Sequence, residues 1–411
     1  MLIRIISRRH QPEDHLSAIL KQAVMVAMMV IVAACEKAPA HVAPSERSDS
    51  PTQSADSPDQ NIDTYLGEKR YAHEGELAQK IAALMEQSVE DRSRKHGNAI
   101  RDAHPKAHGC VKALFHVDET ISADLAKGVF QPGHTYDAWI RFSNSDADPD
   151  QADITGDGRG MAVKLMGIQR GARLERESEV TTQDFIMISH PVFIIDDPSD
   201  YLSFQRKTTS ANWLDKLWQP FTLGLKGAWN ALQITTKKIE NPLQARYWSM
   251  VPYQLGMGTG RQAIKFSAKP FSDPSQSCPT LQDDFPSDPN RNFLREAMRG
   301  TLASGKACMQ FLLQPRAPFM SVENSQDEWK EADAPFSKVA TIHIPQQEFD
   351  TPEQDLFCEN LSFDPWHALP EHRPLGVVNR LRKVIYPHIS ATRHRLNSAP
   401  RTEPQGISWT R

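Results

Sequence analysis

The chain has 411 residues, of which 39% are apolar and 24% charged, and its formal net charge is −4. This length allows one large domain or two ordinary domains with sizeable cores. Lysine and arginine do not cluster into a long basic run, so the electrostatic footprint of nucleic-acid binding is missing. We therefore predict no nucleic-acid partner.

The first residues have the pattern of a bacterial lipoprotein signal. Basic residues precede an apolar run at 23–34, which is too short to span a bilayer and is typical of a signal peptide. The run ends Val-Ala-Ala-Cys at 32–35, which resembles a lipobox, and Glu36 replaces the Asp that favours inner-membrane retention in enteric bacteria. We predict a signal peptide over 1–34 and a periplasmic protein held at the outer membrane by a lipid on Cys35. An uncleaved anchor and a mis-assigned start are the alternatives.

Composition sets the other domain boundaries. Residues 36–61 hold four prolines, many Ser, Asp and Gln, and no aromatic residue, so they cannot bury a core. We predict a disordered tether over 35–61, one compact domain over 62–400 and a short tail over 401–411.

Four cysteines remain after the predicted cleavage: Cys110, Cys278, Cys308 and Cys358. An even count in an oxidising compartment permits two disulfides, but four cysteines allow three pairings. Free buried thiols are the alternative.

The predicted elements begin with an amphipathic helix over 75–95, whose apolar residues recur at helical spacing. Seven candidate strands follow, at 110–117, 136–142, 160–166, 185–195, 262–267, 307–314 and 338–345. Their turns are rich in Gly, Asp and Pro, and their spacing suits an antiparallel barrel more than βαβ units. We therefore predict an α+β fold, an antiparallel barrel with surrounding helices.

The region at about 205–245 differs from the rest of the predicted barrel. Residues 211–232 carry three tryptophans, one phenylalanine and several leucines, interrupted by Pro220. We interpret the region as a helical insertion packed over the barrel. The alternative is an amphipathic flap that contacts lipid or shapes a route for an apolar substrate.

Near the C-terminus, Arg382 and Tyr386 stand four residues apart. Residues at this spacing lie above each other on one face of a helix, so the guanidinium can hold the phenol ionised. A tyrosinate of this kind can ligate haem iron.

A matching set of motifs lies upstream of this pair. In chain order they are Arg-x-x-His at 101–104, Arg-Phe-Ser at 141–143, Asp-x-Arg-Gly-x-Ala-Val-Lys at 157–164, Pro-x-Phe at 191–193, and Glu359 before Phe-Asp-Pro at 363–365. With the Arg-x-x-x-Tyr pair, they resemble the catalase superfamily over roughly residues 98–397. The resemblance implies an eight-stranded barrel, haem b in a pocket on its side, and a wrapping segment that carries the proximal haem helix. Because the chain ends about ten residues after that helix, we expect a minimal form without the extra C-terminal helical part of many catalases.

The resemblance implies roles on the proximal side of the haem. Tyr386 would be the iron ligand, and Arg382 would keep it anionic. Phe363 would pack against the same side of the pocket. Arg393 and Arg395 both stand where relatives place a propionate-binding arginine, and the sequence leaves the choice open.

On the distal side, the resemblance makes His104 the base that moves a proton between the peroxide oxygens. His108 is the rival, but only His104 has Arg101 before it at the family spacing. Arg101 would pair with a haem propionate, and Ser143 would hydrogen-bond His104. Arg141 would be a propionate or structural residue.

The sequence departs from catalases at the distal amide. Counting back from Pro191, the position of the catalytic asparagine falls on Ile188, or on Ser189 after a slip of one residue. Neither side chain supplies the amide that orients a second hydrogen peroxide. Phe193 and Tyr201 remain as apolar and stacking walls of the pocket.

These residues predict a haem-dependent peroxidase-type oxidoreductase that acts on hydrogen peroxide or organic hydroperoxides and is a poor catalase. One alternative is a fatty-acid hydroperoxide isomerase or lyase of the catalase fold, which suits Ile188 and the anchor at Cys35. Another is a haem-binding protein without turnover. The predicted partners are a peroxide or lipid hydroperoxide and the membrane, and a homo-oligomer is compatible with the sequence.

Overall fold

A computed structural model describes residues 62–168, 174, 181–210, 212–401, 403–404 and 406–409. The predicted signal peptide, the tether and Cys35 lie outside the described residues. Within the described part, no helix is both long enough and apolar enough to cross a membrane.

The described residues form nine strands at the centre of the domain. They are β1 (Ala107–Val117), β2 (Thr135–Asn144), β3 (Arg159–Leu165), β4 (Gln183–Ile188), β5 (Tyr247–Trp248), β6 (Tyr253–Leu255), β7 (Gln262–Pro270), β8 (Ala307–Pro315) and β9 (Ser337–Ile344). Eight of them pair antiparallel into a closed ring, in the order β1, β2, β3, β4, β5, β7, β8 and β9, while β6 pairs with β7. The predicted α+β fold with an eight-stranded antiparallel barrel is confirmed.

Side chains alternate between the inside and the outside of the barrel. On β1, Val111, Ala113 and Phe115 are fully buried, and Cys110 and Lys112, which alternate with them along the strand, lie on the opposite face. Aromatic rings with centroids 5.0 to 6.4 Å apart fill the interior, from Phe115, Phe130, Phe185, Phe266 and Phe311. Because side chains fill the interior of the barrel, functional residues are expected on its outer face.

The loop between β1 and β2 inserts Phe130 into the barrel. Gly128 makes this possible, because its φ is +58° and a Cβ there would overlap the ring of His372. The Nε2 atom of His372 accepts a hydrogen bond from the backbone N–H of Val129 at 2.9 Å. The buried histidine therefore holds the inserted loop in place.

Seven α-helices occur in the same part of the chain. They are α1 (Glu74–His96), α2 (Pro198–Thr209), α3 (Trp213–Trp218), α4 (Gly224–Thr236), α5 (Phe293–Ser304), α6 (Pro352–Asn360) and α7 (Val377–Leu396). The long helices α1 and α7 pack together. Arg380 of α7 is buried and pairs with Glu74 at 2.7 Å, Glu68 at 2.9 Å and Glu323 at 3.0 Å. Because a buried guanidinium must be paired to be tolerated, these ion pairs fix the start of α7.

Two disulfides tie the outer layer to the barrel. Cys110 on β1 is bonded to Cys358 on α6, and Cys278 after β7 is bonded to Cys308 on β8. The structure thus selects one of the three pairings that the sequence left open.

Candidate functional site

Four residues lie side by side on the outer face of the barrel, and we call them the outer row. Ser143 on β2 pairs with Gly160 on β3, Gly160 pairs with Ile188 on β4, and Ile188 pairs with Trp248 on β5. Side chains alternate along a strand, so the chain neighbours of the outer row lie on the opposite face, where they are buried in the apolar core: Phe142, Met161, Met187 and Tyr247. Adjacent strands are about 4.8 Å apart, so the outer row spans roughly 14 Å.

His104 lies against the outer row just before β1 begins. Its backbone is in the left-handed region, with φ at +60°, and its carbonyl oxygen accepts a hydrogen bond from Nη2 of Arg141 at 2.8 Å. Its Nδ1 lies 3.2 Å from the hydroxyl of Ser143. A Cβ on Gly160 would lie 2.6 Å from the same nitrogen. Only glycine therefore lets the imidazole pack on the barrel wall at this height.

The electrostatics of His104 suit a proton acceptor. Burial and the charge of Arg141 lower the pKa of His104 to about 4. Its ring is therefore neutral at pH 7. When Nδ1 carries the ring proton and donates it to the serine hydroxyl, Nε2 carries the free lone pair.

His108, the rival predicted from sequence, is held in a different environment. Its Nε2 lies 2.9 Å from Oδ1 of Asn144, and its Nδ1 lies 3.9 Å from a carboxylate oxygen of Asp153. The side chain is 1% exposed, and burial lowers its pKa to about 3. These contacts indicate a structural histidine.

Ile188 and Ser189, the two candidates for the position of the distal amide, have different surroundings. The hydroxyl of Ser189 accepts a hydrogen bond from the backbone N–H of Arg159 at 2.9 Å, whereas Ile188 shares the outer face with Ser143. A Cβ on Gly158 would lie 2.9 Å from Cδ1 of Ile188 and 3.1 Å from Cγ2 of Ile234 on α4. Ile188 and Ile234 therefore form an apolar wall beside His104.

Helix α7 brings the predicted proximal residues together. Arg382 is buried, donates to Oδ1 of Asn379 at 3.3 Å, and lies 5.5 Å from the ring centre of Phe193. The rings of Phe193 and Tyr201 meet edge to face at 6.0 Å. Burial raises the pKa of Tyr201 to about 12, which the charge of Arg382 opposes and a charge on Tyr386 would reinforce. Arg382, Phe193, Tyr201 and Tyr386 thus form one group.

This group faces the outer row. The charge of Arg382 contributes to the lowered pKa of His104, after burial and Arg141. Arg382 on α7 therefore lies near His104 at the barrel wall.

Beside this region two arginines contact a single carboxylate, and a third arginine lies close to them. Arg101 donates to Glu359 at 2.8 Å and to the carbonyl oxygen of Leu361, and Arg393 lies 3.5 Å from Glu359. Arg141 lies close enough for its pKa to be lowered well below the usual value by burial and then by Arg101. Burial and Arg101 also lower the pKa of Arg393 to about 9. We call Arg101, Arg141 and Arg393 the arginine cluster.

The arginine cluster has more positive than negative charge. Among the described residues, Glu359 is the carboxylate that contacts it, and Nε of Arg141 is buried without a hydrogen-bond partner. This excess of positive charge is complementary to a bound anion that carries carboxylate groups.

Arg395 and Phe363, two more residues predicted to bind the cofactor, differ in their surroundings. Arg395 is not in the arginine cluster: its side chain is 58% exposed and pairs with Glu86 and Glu90 on α1. Arg393 lies in the arginine cluster and Arg395 does not, since side chains two residues apart on a helix point in different directions. Phe363 packs against the apolar cluster around the Cys110–Cys358 disulfide.

Sequence reasoning gave no role to Gly160 or Glu359, although both lie inside the motifs. The signal for Gly160 was a glycine within a strand pattern, which often marks the close approach of another group. The signal for Glu359 was an acidic residue in a set of motifs rich in arginine.

Comparisons with known proteins identify the architecture. No family model and no curated protein matches the chain. Among solved structures, the chain is similar to a fungal catalase (17% identity, TM-score 0.54, covering 75% of this chain and 62% of that one). It is similar to catalase A from Saccharomyces cerevisiae (18%, 0.52, 74% and 63%) and to a bacterial catalase (16%, 0.53, 86% and 68%). The chain thus spans less than two thirds of the length of the first two. Together with the closed eight-stranded barrel, these likenesses show that the protein has the catalase fold.

Proposed function

We propose that the protein is a haem-dependent, catalase-like oxidoreductase that acts as a peroxidase on hydrogen peroxide or organic hydroperoxides. The observation that carries this proposal is the outer row, which sets His104 against Gly160 with Ile188 on the next strand. We infer that the same arrangement makes it a poor catalase.

The arginine cluster supports haem b as the cofactor. Two of its guanidiniums, those of Arg101 and Arg393, contact one carboxylate, that of Glu359, and Nε of Arg141 has no hydrogen-bond partner among the described residues. The two propionates of haem b would balance this excess charge and supply the missing acceptors. Arg101, Arg141 and Arg393 would therefore hold the propionates.

Helix α7 would supply the iron ligand. Tyr386 lies one turn after Arg382 on the same face of α7. When bound, haem iron supplies the redox chemistry of peroxide cleavage. Phe193 and Tyr201 would line the pocket beside it.

His104 would move the proton that peroxide cleavage requires. With Nδ1 held by Ser143, Nε2 would take the proton from one peroxide oxygen and return it to the other, which leaves as water from hydrogen peroxide or as the alcohol from an organic hydroperoxide. The low pKa of His104 keeps the ring ready to accept that proton at neutral pH.

Ile188 would limit the second half of a catalase cycle. An isoleucine donates no hydrogen bond, so a second hydrogen peroxide would lack a donor beside His104. The apolar wall of Ile188 and Ile234 suits the organic part of a larger hydroperoxide instead.

That wall also favours a second candidate, a fatty-acid hydroperoxide isomerase or lyase. Product analysis with a fatty-acid hydroperoxide separates the candidates: a peroxidase yields the alcohol and needs a reducing substrate, and an isomerase or lyase needs none. Haem binding without either product would indicate a haem-binding protein that lacks turnover.

The cofactor assignment is tested with Tyr386→Phe. We expect wild-type protein reconstituted with haem to show the spectrum of a phenolate-ligated iron and the variant to lose it. Tyr201→Phe, which changes a neighbouring ring, is the matched control and should keep the spectrum. An unchanged spectrum in Tyr386→Phe would refute the ligand.

We further propose that the protein is a periplasmic lipoprotein anchored at Cys35. The support is the Val-Ala-Ala-Cys sequence at 32–35. Mass spectrometry of the membrane fraction should find a lipidated N-terminal cysteine, and Cys35→Ser should leave the unprocessed chain. An intact, unmodified N-terminus in the wild type would contradict the anchor.

A further inference from the structure

We propose that the helical segment between β4 and β5 carries a bilayer-docking surface. Eleven large apolar side chains are exposed in the described residues, and five of them fall within sixteen positions on α3, α4 and the turn between them. We call these five the apolar patch: Leu214, Trp218, Phe221, Leu225 and Trp229, which are 43 to 62% exposed. Soluble proteins rarely expose a contiguous group of large apolar side chains unless the group binds a partner or a membrane.

The exposure of the apolar patch is fixed by packing on the opposite face of α4. Leu225 and Trp229 are one turn apart and point outward. On the other face, a Cβ on Gly227 would overlap the carbonyl oxygen of Ile194, and Asn230 donates to the carbonyl oxygen of Gln326 at 3.2 Å. The helix therefore cannot turn to bury its apolar side chains.

The charge of the segment matches an anionic bilayer. Residues 205–238 contain six basic residues and one acidic residue, a net charge of +5 in a chain whose net charge is −4. Two tryptophans and a phenylalanine framed by lysine and arginine are typical of helices that lie in the bilayer interface. Nζ of Lys207 lies 3.3 Å from the carbonyl oxygen of Trp218, so basic groups reach the edge of the apolar patch.

The predicted anchor would keep this surface close to the membrane. The tether predicted from the composition of 36–61 would have a root-mean-square length of roughly 25–30 Å. The lipid on Cys35 would therefore present the apolar patch to the bilayer at high effective concentration.

Docking would also define the substrate class, a step that rests on the proposed function. Helix α4 bears Trp229 on its outer side and Ile234 at the wall beside Ile188. A lipid hydroperoxide in the bilayer would thus contact helix α4, which borders the pocket. The docking itself does not depend on haem chemistry.

The test compares full-length chains that all carry Cys35→Ser, so that the lipid is absent and the N-terminal region, with its apolar run at 23–34, is identical in all of them. Flotation uses vesicles of phosphatidylethanolamine and phosphatidylglycerol, with phosphatidylcholine vesicles as the neutral reference. We expect Leu225→Ser with Trp229→Ser to weaken binding about tenfold or more. The matched control is Met257→Ser with Phe319→Ser, which removes exposed apolar side chains elsewhere and should bind like the parent.

A second variant, Lys237→Glu with Lys238→Glu, keeps the test valid if the first does not fold. It should bind anionic vesicles more weakly and show less sensitivity to salt. Equal binding of parent and patch variants would overturn the proposal. So would a concentration-dependent dimer of the parent that the patch variant loses, because the occupant would then be a second copy. Vesicle binding by protein without bound haem would support docking and separate its outcome from that of the proposed function.

Discussion

The hydroxyl of Ser143 lies 3.2 Å from Nδ1 of His104, across the strand edge at which the barrel wall begins. This contact engages one ring nitrogen and leaves the other to the region facing α7. Gly160 is needed for it, since any larger residue would displace both side chains. The contact with Ser143 and the absence of a side chain at Gly160 together fix the position of the His104 ring on the barrel wall.

The first prediction is that His104 and not His108 is the base. Removing a positioned general base costs roughly 10²–10⁴-fold in rate, so His104→Ala should nearly stop the reaction with peroxide, followed by stopped-flow absorption, while haem content is retained. His108→Ala should instead lower the melting temperature, because it removes the buried ring that contacts Asn144 and Asp153. The reverse pattern would show that the roles are exchanged.

The second prediction concerns two arginines of α7 that differ in direction. Arg393→Gln should weaken haem binding about 10–100-fold, the usual effect of losing a hydrogen bond to a charged group. Arg395→Gln, on the exposed face, is the matched control and should bind haem like the wild type. Titration of the apoprotein with haem measures both, and equal affinities would remove Arg393 from the site.

Sequence patterns predicted the long elements well. The helix over 75–95 is confirmed by α1, and the seven predicted strands correspond to β1, β2, β3, β4, β7, β8 and β9. The strand predicted over 185–195 ends earlier, at Ile188, because Pro191 has no N–H for a ladder and the segment turns away. β5 was missed because two residues, Tyr247 and Trp248, show no periodicity, although they close the barrel.

The residues of the site were predicted through motifs, but their contacts were not. Nothing local in the sequence tells which of Arg393 and Arg395 faces the barrel, because that depends on where α1 packs against α7. The same is true of Glu359, which meets Arg101 from 258 positions away. Long-range pairs of this kind are set by the closed barrel and not by local propensity.

The third prediction is that the Cys110–Cys358 disulfide stabilises the domain more than the second disulfide does. It closes a sequence separation of 248 residues, against 30 for Cys278–Cys308. Replacing both cysteines of the first pair by serine should lower the free energy of unfolding by about 2–5 kcal/mol, and the second pair should cost roughly 2 kcal/mol less. Denaturant titration measures both, and equal losses would contradict the loop-closure argument.

The fourth prediction is a loss of stability in acid that depends on His372. Burial lowers the pKa of His372 to about 3, whereas the unfolded chain titrates near 6.5. The unfolded state therefore binds the proton first, and the free energy of unfolding should fall as pH drops from about 6.5 towards 3. His372→Gln should show a shallower decline over that range, measured by denaturant titration at several pH values. The same change at the exposed His134 is the control, and an identical slope in His372→Gln and wild type would refute the assignment.

The fifth prediction is that Ile188→Asn raises oxygen evolution from hydrogen peroxide. Catalase turnover has two steps, and the second needs a fresh peroxide oriented beside His104. Ile188 lies opposite Gly160 on the outer row, so an amide at this position would point to the place where that peroxide must sit. An orienting hydrogen bond made only in the transition state is worth about 10²–10³ in rate. Oxygen-electrode assays should therefore show slow oxygen evolution by the wild type and faster evolution by the variant, with oxidation of a reducing substrate less affected.

Ser189→Asn is the matched control. The hydroxyl of Ser189 accepts a hydrogen bond from the backbone N–H of Arg159, away from His104, so this change should not raise the rate. Vigorous oxygen evolution by the wild type would show that the second step does not need the amide.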